Sequence, residues 1–201
     1  KFGTCSVLIN GAGGNQMEAV TTTDAFTDRE LEGPSEGERG FFNLNPDSLK
    51  SVLEINTLGT IIPCQVFGAE MAKRKQGCII NFSSMNSTRP LSRVPAYAMA
   101  KAGIDNFTQW LAAYLAPANI RVNGIAPGFF LNERNRGRLT TEDGGLTQRG
   151  QNIIHHTPMG RFGEANELVG CMKWLLDEKA SGFVTGVTIP IDGGFLASAG
   201  V

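Results

Sequence analysis

Apolar positions along this chain follow two alternating rhythms. Residues 6–10 (SVLIN), 78–82 (CIINF), 120–125 (IRVNGI) and 187–191 (VTIPI) are short, largely apolar runs closed by glycine, serine, proline or aspartate. Such runs predict strands buried in a sheet. Pro190 cannot donate a ladder hydrogen bond, which marks the fourth run as an end or edge strand. Between the runs, residues 46–75 carry Leu49, Val52, Leu53, Leu58, Ile61, Ile62 and Phe67, mostly at spacings of three and four. Residues 95–115 and 165–177 repeat the pattern, the latter with Leu168, Val169, Met172, Leu175 and Leu176. Both patterns predict amphipathic helices. Strands alternating with helices of this length predict βαβ units, a parallel sheet and an α/β fold.

Two polar segments do not fit a minimal βα repeat. Residues 21–45, containing Gly33-Pro34-Ser35-Glu36-Gly37, form an insertion between the first strand and its helix. Residues 131–157 are rich in arginine, glycine, asparagine and glutamine. Loops of this length in compact domains are functional or disordered. A chain of 201 residues otherwise predicts one domain with a real core.

Charge narrows the partners. Eighteen lysines and arginines stand against nineteen acids, a net charge of −1, which gives no reason to expect nucleic acid or an anionic membrane. The apolar runs are short and interrupted, so neither a membrane span nor a signal peptide is expected. Cys5, Cys64, Cys78 and Cys171 are scattered without CxxC spacing, which reads as apolar packing in a reducing cytoplasm. His155-His156 has no further ligand at metal spacing, so no metal site is expected.

The chemistry gathers where strands end. Ligands of open parallel sheets bind at the carboxyl ends of the strands. Those ends carry Asn10-Gly11-Ala12-Gly13-Gly14, Ser83-Ser84 and Pro127-Gly128. Glycines allow a close backbone approach to a ligand, although a tight turn would look the same. Tyr97 and Lys101, at i and i+4 just inside a helix that opens at Pro95, share one helix face. A tyrosine beside an ammonium is expected to ionise more readily and to exchange a proton with a substrate oxygen. Ser84, thirteen residues before Tyr97, could hydrogen-bond that same oxygen. Alone, Tyr-x-x-x-Lys reads as a solvated helix face; together with Ser84 and the glycines it reads as an acid–base site.

These residues resemble the motifs of the short-chain dehydrogenase/reductase family along essentially the whole chain. Asn10-Gly11-Ala12-Gly13 is similar to the family's Asn-Asn-Ala-Gly segment. Asn56, Ser84, Tyr97 and Lys101 match its catalytic tetrad, and Ile120-Arg121-Val122-Asn123 with Ala126-Pro127-Gly128 matches the strand and turn beside the nicotinamide. Gly186 and Ile191-Asp192-Gly193-Gly194 match the closing strand. The resemblance implies a Rossmann-like doubly wound sheet and hydride transfer with NAD or NADP. Tyr97 would be the acid or base. Lys101 would bind the nicotinamide ribose and lower the Tyr97 pKa. Ser84 would polarise the substrate oxygen, and Asn56 would hold a proton-relaying water. Asn10, Gly11, Ala12 and Gly13 would line the ribose side, with Pro127 and Gly128 near the carboxamide.

Departures from the family pattern add expectations. The Gly-rich pyrophosphate turn and the strand end that selects NAD or NADP are not among these residues. The chain is therefore expected to begin near the family's fourth strand, with roughly 60 to 90 residues preceding it at about thirty per unit. Val7, Leu8 and Ile9 would then lie on an uncovered sheet edge. Asn132 stands where many relatives carry a cofactor-contacting threonine. The insertion 21–45 and the tail 193–201 resemble the sugar-acid branch, of the D-mannonate/D-fructuronate type. A carboxylate substrate would want a cation, for which Arg89, Arg134 and Arg136 are candidates, with Asn86 nearby. Helices 46–75 and 95–115 resemble the family's dimer contact and the apolar tail a tetramer contact, implying a homodimer or homotetramer. A scaffold that keeps the fold without activity, or a relative acting on another polyol, ketone or acyl substrate, remain the alternatives.

Overall fold

A computed structural model describes residues 3–33 and 37–198; the side chain of Arg134 is also outside the described set. Residues 34–36 of the insertion and 199–201 of the tail, both invoked above, therefore lie outside the described residues.

The strand runs become β1 (Val7–Asn10), β2 (Gly77–Phe82), β3 (Ile120–Pro127) and β4 (Thr188–Ile191), all parallel and in the order β1-β2-β3-β4. The two-residue period sorts the core into two faces. Ile79 and Val122 point to one side with Met71, Leu111 and Ile120, beneath α1 (Pro46–Arg74) and α2 (Pro95–Leu115). Cys78, Ile80 and Ile125 point to the other, against Leu175 of α5 (Glu167–Leu176). Helices thus cover both faces, a three-layer Rossmann-like α/β arrangement. Among the described residues β1 pairs with β2 alone, leaving Val7 and Ile9 more than two-fifths exposed. At the opposite edge β4 carries Pro190 with its ring exposed, where a missing donor does no harm.

Local sequence explains the long helices. Asn45 caps α1 by accepting from the Ser48 amide at 2.9 Å, with Pro46 in the first turn, and Lys75 closes the helix in the left-handed conformation. Its buried stripe is Ser48, Val52, Asn56, Thr60, Cys64, Gly68 and Met71. Against the expectation of no membrane-span segment, α1 is long and apolar enough for one by length and composition. Its composition comes from being apolar on two faces: one packs on the sheet, and the other exposes Ile55, Leu58, Ile62 and Val66.

The segments read as loops are more ordered than expected. Within 131–157 lie α3 (Glu133–Leu139) and α4 (Gln148–His155), with Thr147 capping α4 through Gly150 at 3.1 Å. A further turn, α6 (Glu178–Ser181), follows α5. The described residues of the insertion 21–45 include short 3₁₀ turns and are tied back by Arg39, which donates to the carbonyls of Val20 at 3.0 Å and Met17 at 2.7 Å. All four cysteines are free thiols, Cys64 and Cys78 buried and Cys5 and Cys171 half-buried.

Candidate active site

Parallel strands bring their carboxyl ends to one side, and the loops leaving β1, β2 and β3 meet there with the first turns of α2. They enclose a cleft of about 240 Å³ lined by Gly11, Gly13, Gly14, Phe82, Ser83, Ser84, Tyr97, Lys101, Pro127 and Gly128. The structure thus brings together Ser84, Tyr97 and Lys101 from segments that are distant in sequence.

Lys101 is 4% exposed, and its Nζ donates to the Phe82 carbonyl oxygen at 2.8 Å. Burial draws its pKa down to about 8, against a smaller opposing pull from Asp105. Its Nζ lies 5.5 Å from the centre of the Tyr97 ring. Tyr97 is half-buried, packing against the small cluster of Ala19, Val52 and Ala96. Burial raises the pKa of its hydroxyl, and a hydrogen bond with Ser84 pulls the other way. The expected lowering by Lys101 is therefore not what governs Tyr97 in this structure: desolvation of the phenolate prevails. Ser84 Oγ also accepts from the Asn86 amide at 3.2 Å, which fixes the turn after β2.

Asn56 sits beneath the cleft, fully buried. Its amide donates to the carbonyls of Gly14 at 2.8 Å and Val52 at 2.7 Å, while Oδ1 accepts from the Gly14 amide at 3.3 Å. With both donors engaged, its side chain holds the glycine loop. The loop needs glycine for this. A Cβ on Gly13 would stand 2.5 Å from Asn56 Oδ1 and 3.5 Å from Lys101 Nζ. On the far wall, Gly128 donates to Ile191 O at 2.8 Å, and a Cβ there would meet Asp192 Cα at 2.6 Å.

Other expected residues go elsewhere. Asn10 faces the sheet interior: its amide donates to Asn81 Oδ1 at 2.9 Å and Cys64 Sγ at 3.2 Å, and Asn81 continues to Thr108 at 2.9 Å. It braces β1 on β2, and neither it nor Ala12 lines the cleft. The Cys64 thiol is pushed by burial up to about 11. Arg89 donates to the carbonyls of Phe195 at 3.1 Å and Ser198 at 2.6 Å and lies over the Phe195 ring, so it anchors the tail. Asn86 is buried, its Oδ1 accepting from Leu91 N at 2.6 Å. Arg136 is exposed on α3, and the Arg134 side chain lies outside the described residues. Conversely, Phe82 lines the cleft without having been singled out, and Gly14 and Ser83, named at the strand ends but given no role, line it too; adjacency to Gly13 and Ser84 was the available signal.

This cleft fits the ribose and nicotinamide end of a dinucleotide. Its floor is a glycine loop that a side chain would block, and Lys101 has donors beyond the one given to Phe82. A family model described as enoyl-(acyl carrier protein) reductase matches residues 7–196. An oxidoreductase of uncharacterized activity from Haemophilus influenzae is 48% identical over 200 residues, covering all of this chain and 69% of the relative. A crystal structure provisionally assigned as a D-mannonate oxidoreductase from the same organism, with bound NAD, superposes with a TM-score of 0.91 at 47% identity, covering all of this chain and 70% of that one. A gluconate 5-dehydrogenase from Burkholderia cenocepacia, in complex with NADP and tartrate, gives a TM-score of 0.80 at 28% identity, over 99% of this chain and 68% of that one.

Proposed function

The chain belongs to the short-chain dehydrogenase/reductase family, and on that premise we propose that it moves a hydride between NAD(P)(H) and the carbinol or carbonyl carbon of a sugar acid. It is an NAD(P)-dependent oxidoreductase acting on alcohol groups. The observation that carries the chemistry is the convergence of Ser84, Tyr97 and Lys101 in one cleft against a glycine loop. The likeness to the D-mannonate and gluconate enzymes supports the substrate class.

When bound, the nicotinamide supplies or accepts the hydride. The chain's own residues handle the proton and the position. In the reducing direction the Tyr97 hydroxyl gives its proton to the substrate oxygen as that oxygen gains charge; in the oxidising direction the phenolate takes it back. Its raised pKa keeps Tyr97 protonated at neutral pH, ready for reduction. Ser84 Oγ donates to the same oxygen and so shares the developing charge. Lys101, held by the Phe82 carbonyl, leaves further N–H donors for ribose hydroxyls. Asn56 keeps the glycine loop closed beneath them.

NAD(P)H oxidation by the intact protein, measured with D-fructuronate and 5-keto-D-gluconate beside the neutral ketose L-xylulose, tests this reading. Turnover of the keto acids in preference to L-xylulose is expected; no turnover of any keto acid removes the sugar-acid assignment.

The exposed stripe of Ile55, Leu58, Ile62 and Val66 on α1, beside Trp110 and Tyr114 on α2, supports pairing of two copies through these helices. Sedimentation equilibrium should find a dimer or tetramer, and Ile62→Glu should shift it toward monomer. A wild-type protein that sediments as a monomer at micromolar concentration would end this proposal. The four free thiols suit the reducing cytoplasm expected for it.

A further inference from the structure

A second cleft, of about 580 Å³, opens beside the catalytic one. Its wall begins at Phe129, the residue after Gly128, and continues through Ser92 and Arg93 on the loop that joins Ser84 to Tyr97. The opposite wall is α4, which contributes Gln148, Arg149 and Asn152. A substrate whose carbonyl lies at Tyr97 would extend its chain into this space.

The charge there is positive and unevenly engaged. Two guanidinium groups, Arg93 and Arg149, face a single carboxylate, Asp24. Arg93 is committed to that carboxylate through two hydrogen bonds, at 2.7 and 3.0 Å. Its backbone is fixed as well: φ is 74°, and its carbonyl accepts from Thr21 N at 3.0 Å. Among the described residues the other two non-glycine residues with positive φ, Lys75 and Asn119, are C-caps of a helix and a 3₁₀ turn; Arg93 is neither. Left-handed backbone held in this way at a site wall is the kind of strain that surrounding structure retains for function. Arg149, by contrast, is exposed and donates to no protein group among the described residues. Gln148 Nε2 donates to Asn152 Oδ1 at 3.1 Å, which leaves the Asn152 amide hydrogens for another acceptor. Ser92 on the facing wall gives its hydroxyl to Asp24, which with Arg93 neutralises that carboxylate; Arg149 acts on Asp24 only through space.

A cation with an unengaged planar fork, flanked by neutral donors and backed by an already neutralised pair, matches a carboxylate. We propose that Arg149, assisted by Asn152, binds the carboxylate of the substrate and thereby sets the preference for acids over neutral ketoses. This rests on the sugar-acid reading for its biological ligand, and Arg149 takes the place of Arg89, whose guanidinium is committed to the tail carbonyls. The Arg93–Asp24 pair is the positioning element: it ties the insertion to the catalytic loop and leaves Arg149 as the cation available to an incoming anion.

Two measurements on the intact protein test it. Calorimetric titration with tartrate reads anion binding without turnover; Arg149→Gln should weaken it at least about tenfold and Arg149→Lys should recover part of the loss, as expected for a charge-assisted contact. Steady-state kinetics should show the ratio of kcat/KM for 5-keto-D-gluconate over L-xylulose falling about ten- to a hundredfold in Arg149→Gln, through KM rather than kcat. Equal tartrate binding by wild type and Arg149→Gln, no binding by wild type, or an equal loss on both ketoses would each overturn the subsite. Should the wild type turn over no sugar acid, the substrate reading falls by itself, and the tartrate titration decides the subsite alone.

Discussion

Tyr97→Phe is expected to lose about 10³-fold in turnover while the fold and cofactor affinity remain. The change removes one oxygen. The ring still packs against Ala19, Val52 and Ala96, and the half-buried position makes the lost hydrogen bond with Ser84 a matter of about 1 kcal/mol. What disappears is the phenolic hydroxyl, the one phenol lining the cleft among the described residues, on a ring 5.5 Å from the Lys101 ammonium and bonded to Ser84. Ser84 cannot substitute, because its proton is far less acidic than a phenol's and its Oγ already accepts from Asn86 N. The measurement is a single-turnover assay with saturating NAD(P)H, beside a fluorescence titration of the cofactor and a urea melt. Near-normal single-turnover rates would transfer the acid–base role to another group. A collapsed urea midpoint would mean that the hydroxyl is structural.

How much of this was legible in the sequence depended on whether a residue's role was local. The strands and long helices came within a residue or two of their observed ends, because Ile79-Ile80 or Leu111-Ala112 can only be accommodated by burial and their periods are unambiguous. Tyr97 and Lys101 share a helix face by spacing alone, so their meeting needed no tertiary knowledge. What the local pattern did not carry was pairing across the fold. Asn10 borders the glycines and looked like part of their ligand surface, but the register that sets it opposite Asn81 turns its amide inward. Arg89 looked like a free loop cation until the tail carbonyls arrived from more than a hundred residues away. Helices α3 and α4 are held by single apolar anchors, Leu139 and Ile153, too sparse to give a period. Thr147, a cap residue ahead of Gln148, was the available cue for α4. Arg149 was invisible for the same reason: in sequence it is one polar residue among many, and only the packing of α4 opposite Arg93 distinguishes it.

The second large effect combines loss of function with gain of stability. Lys101→Met is expected to lower activity about 10²- to 10³-fold, by removing both the ammonium beside Tyr97 and the donors for ribose. Yet the same substitution should stabilise the fold at neutral pH. Drawing Lys101 from 10.5 down to about 8 means that its charged form is disfavoured in the folded state, by roughly 3 kcal/mol at 1.36 kcal/mol per unit. Methionine fills a similar volume without that penalty and forfeits only the bond to the Phe82 carbonyl, about 1–2 kcal/mol. A net gain of about 1–2 kcal/mol at pH 7 follows. The pH dependence separates this cause from better packing. Below about pH 8 folded and unfolded chains both carry the proton, so the wild type bears the full penalty. Between about 8 and 10.5 the unfolded chain holds more protons than the folded one, so wild-type stability rises with pH and the advantage of methionine shrinks. Tyr97, whose pKa is raised, binds its proton more tightly when folded and weakens the fold only above the ordinary phenol range, so the comparison is read below pH 10. Urea midpoints of both proteins at pH 7 and pH 9.5 are the test. A constant difference across that interval, or a variant less stable at pH 7, would show that Lys101 is not held against its own solvation, whereas a converging pair would identify the buried ammonium as stability given up for catalysis.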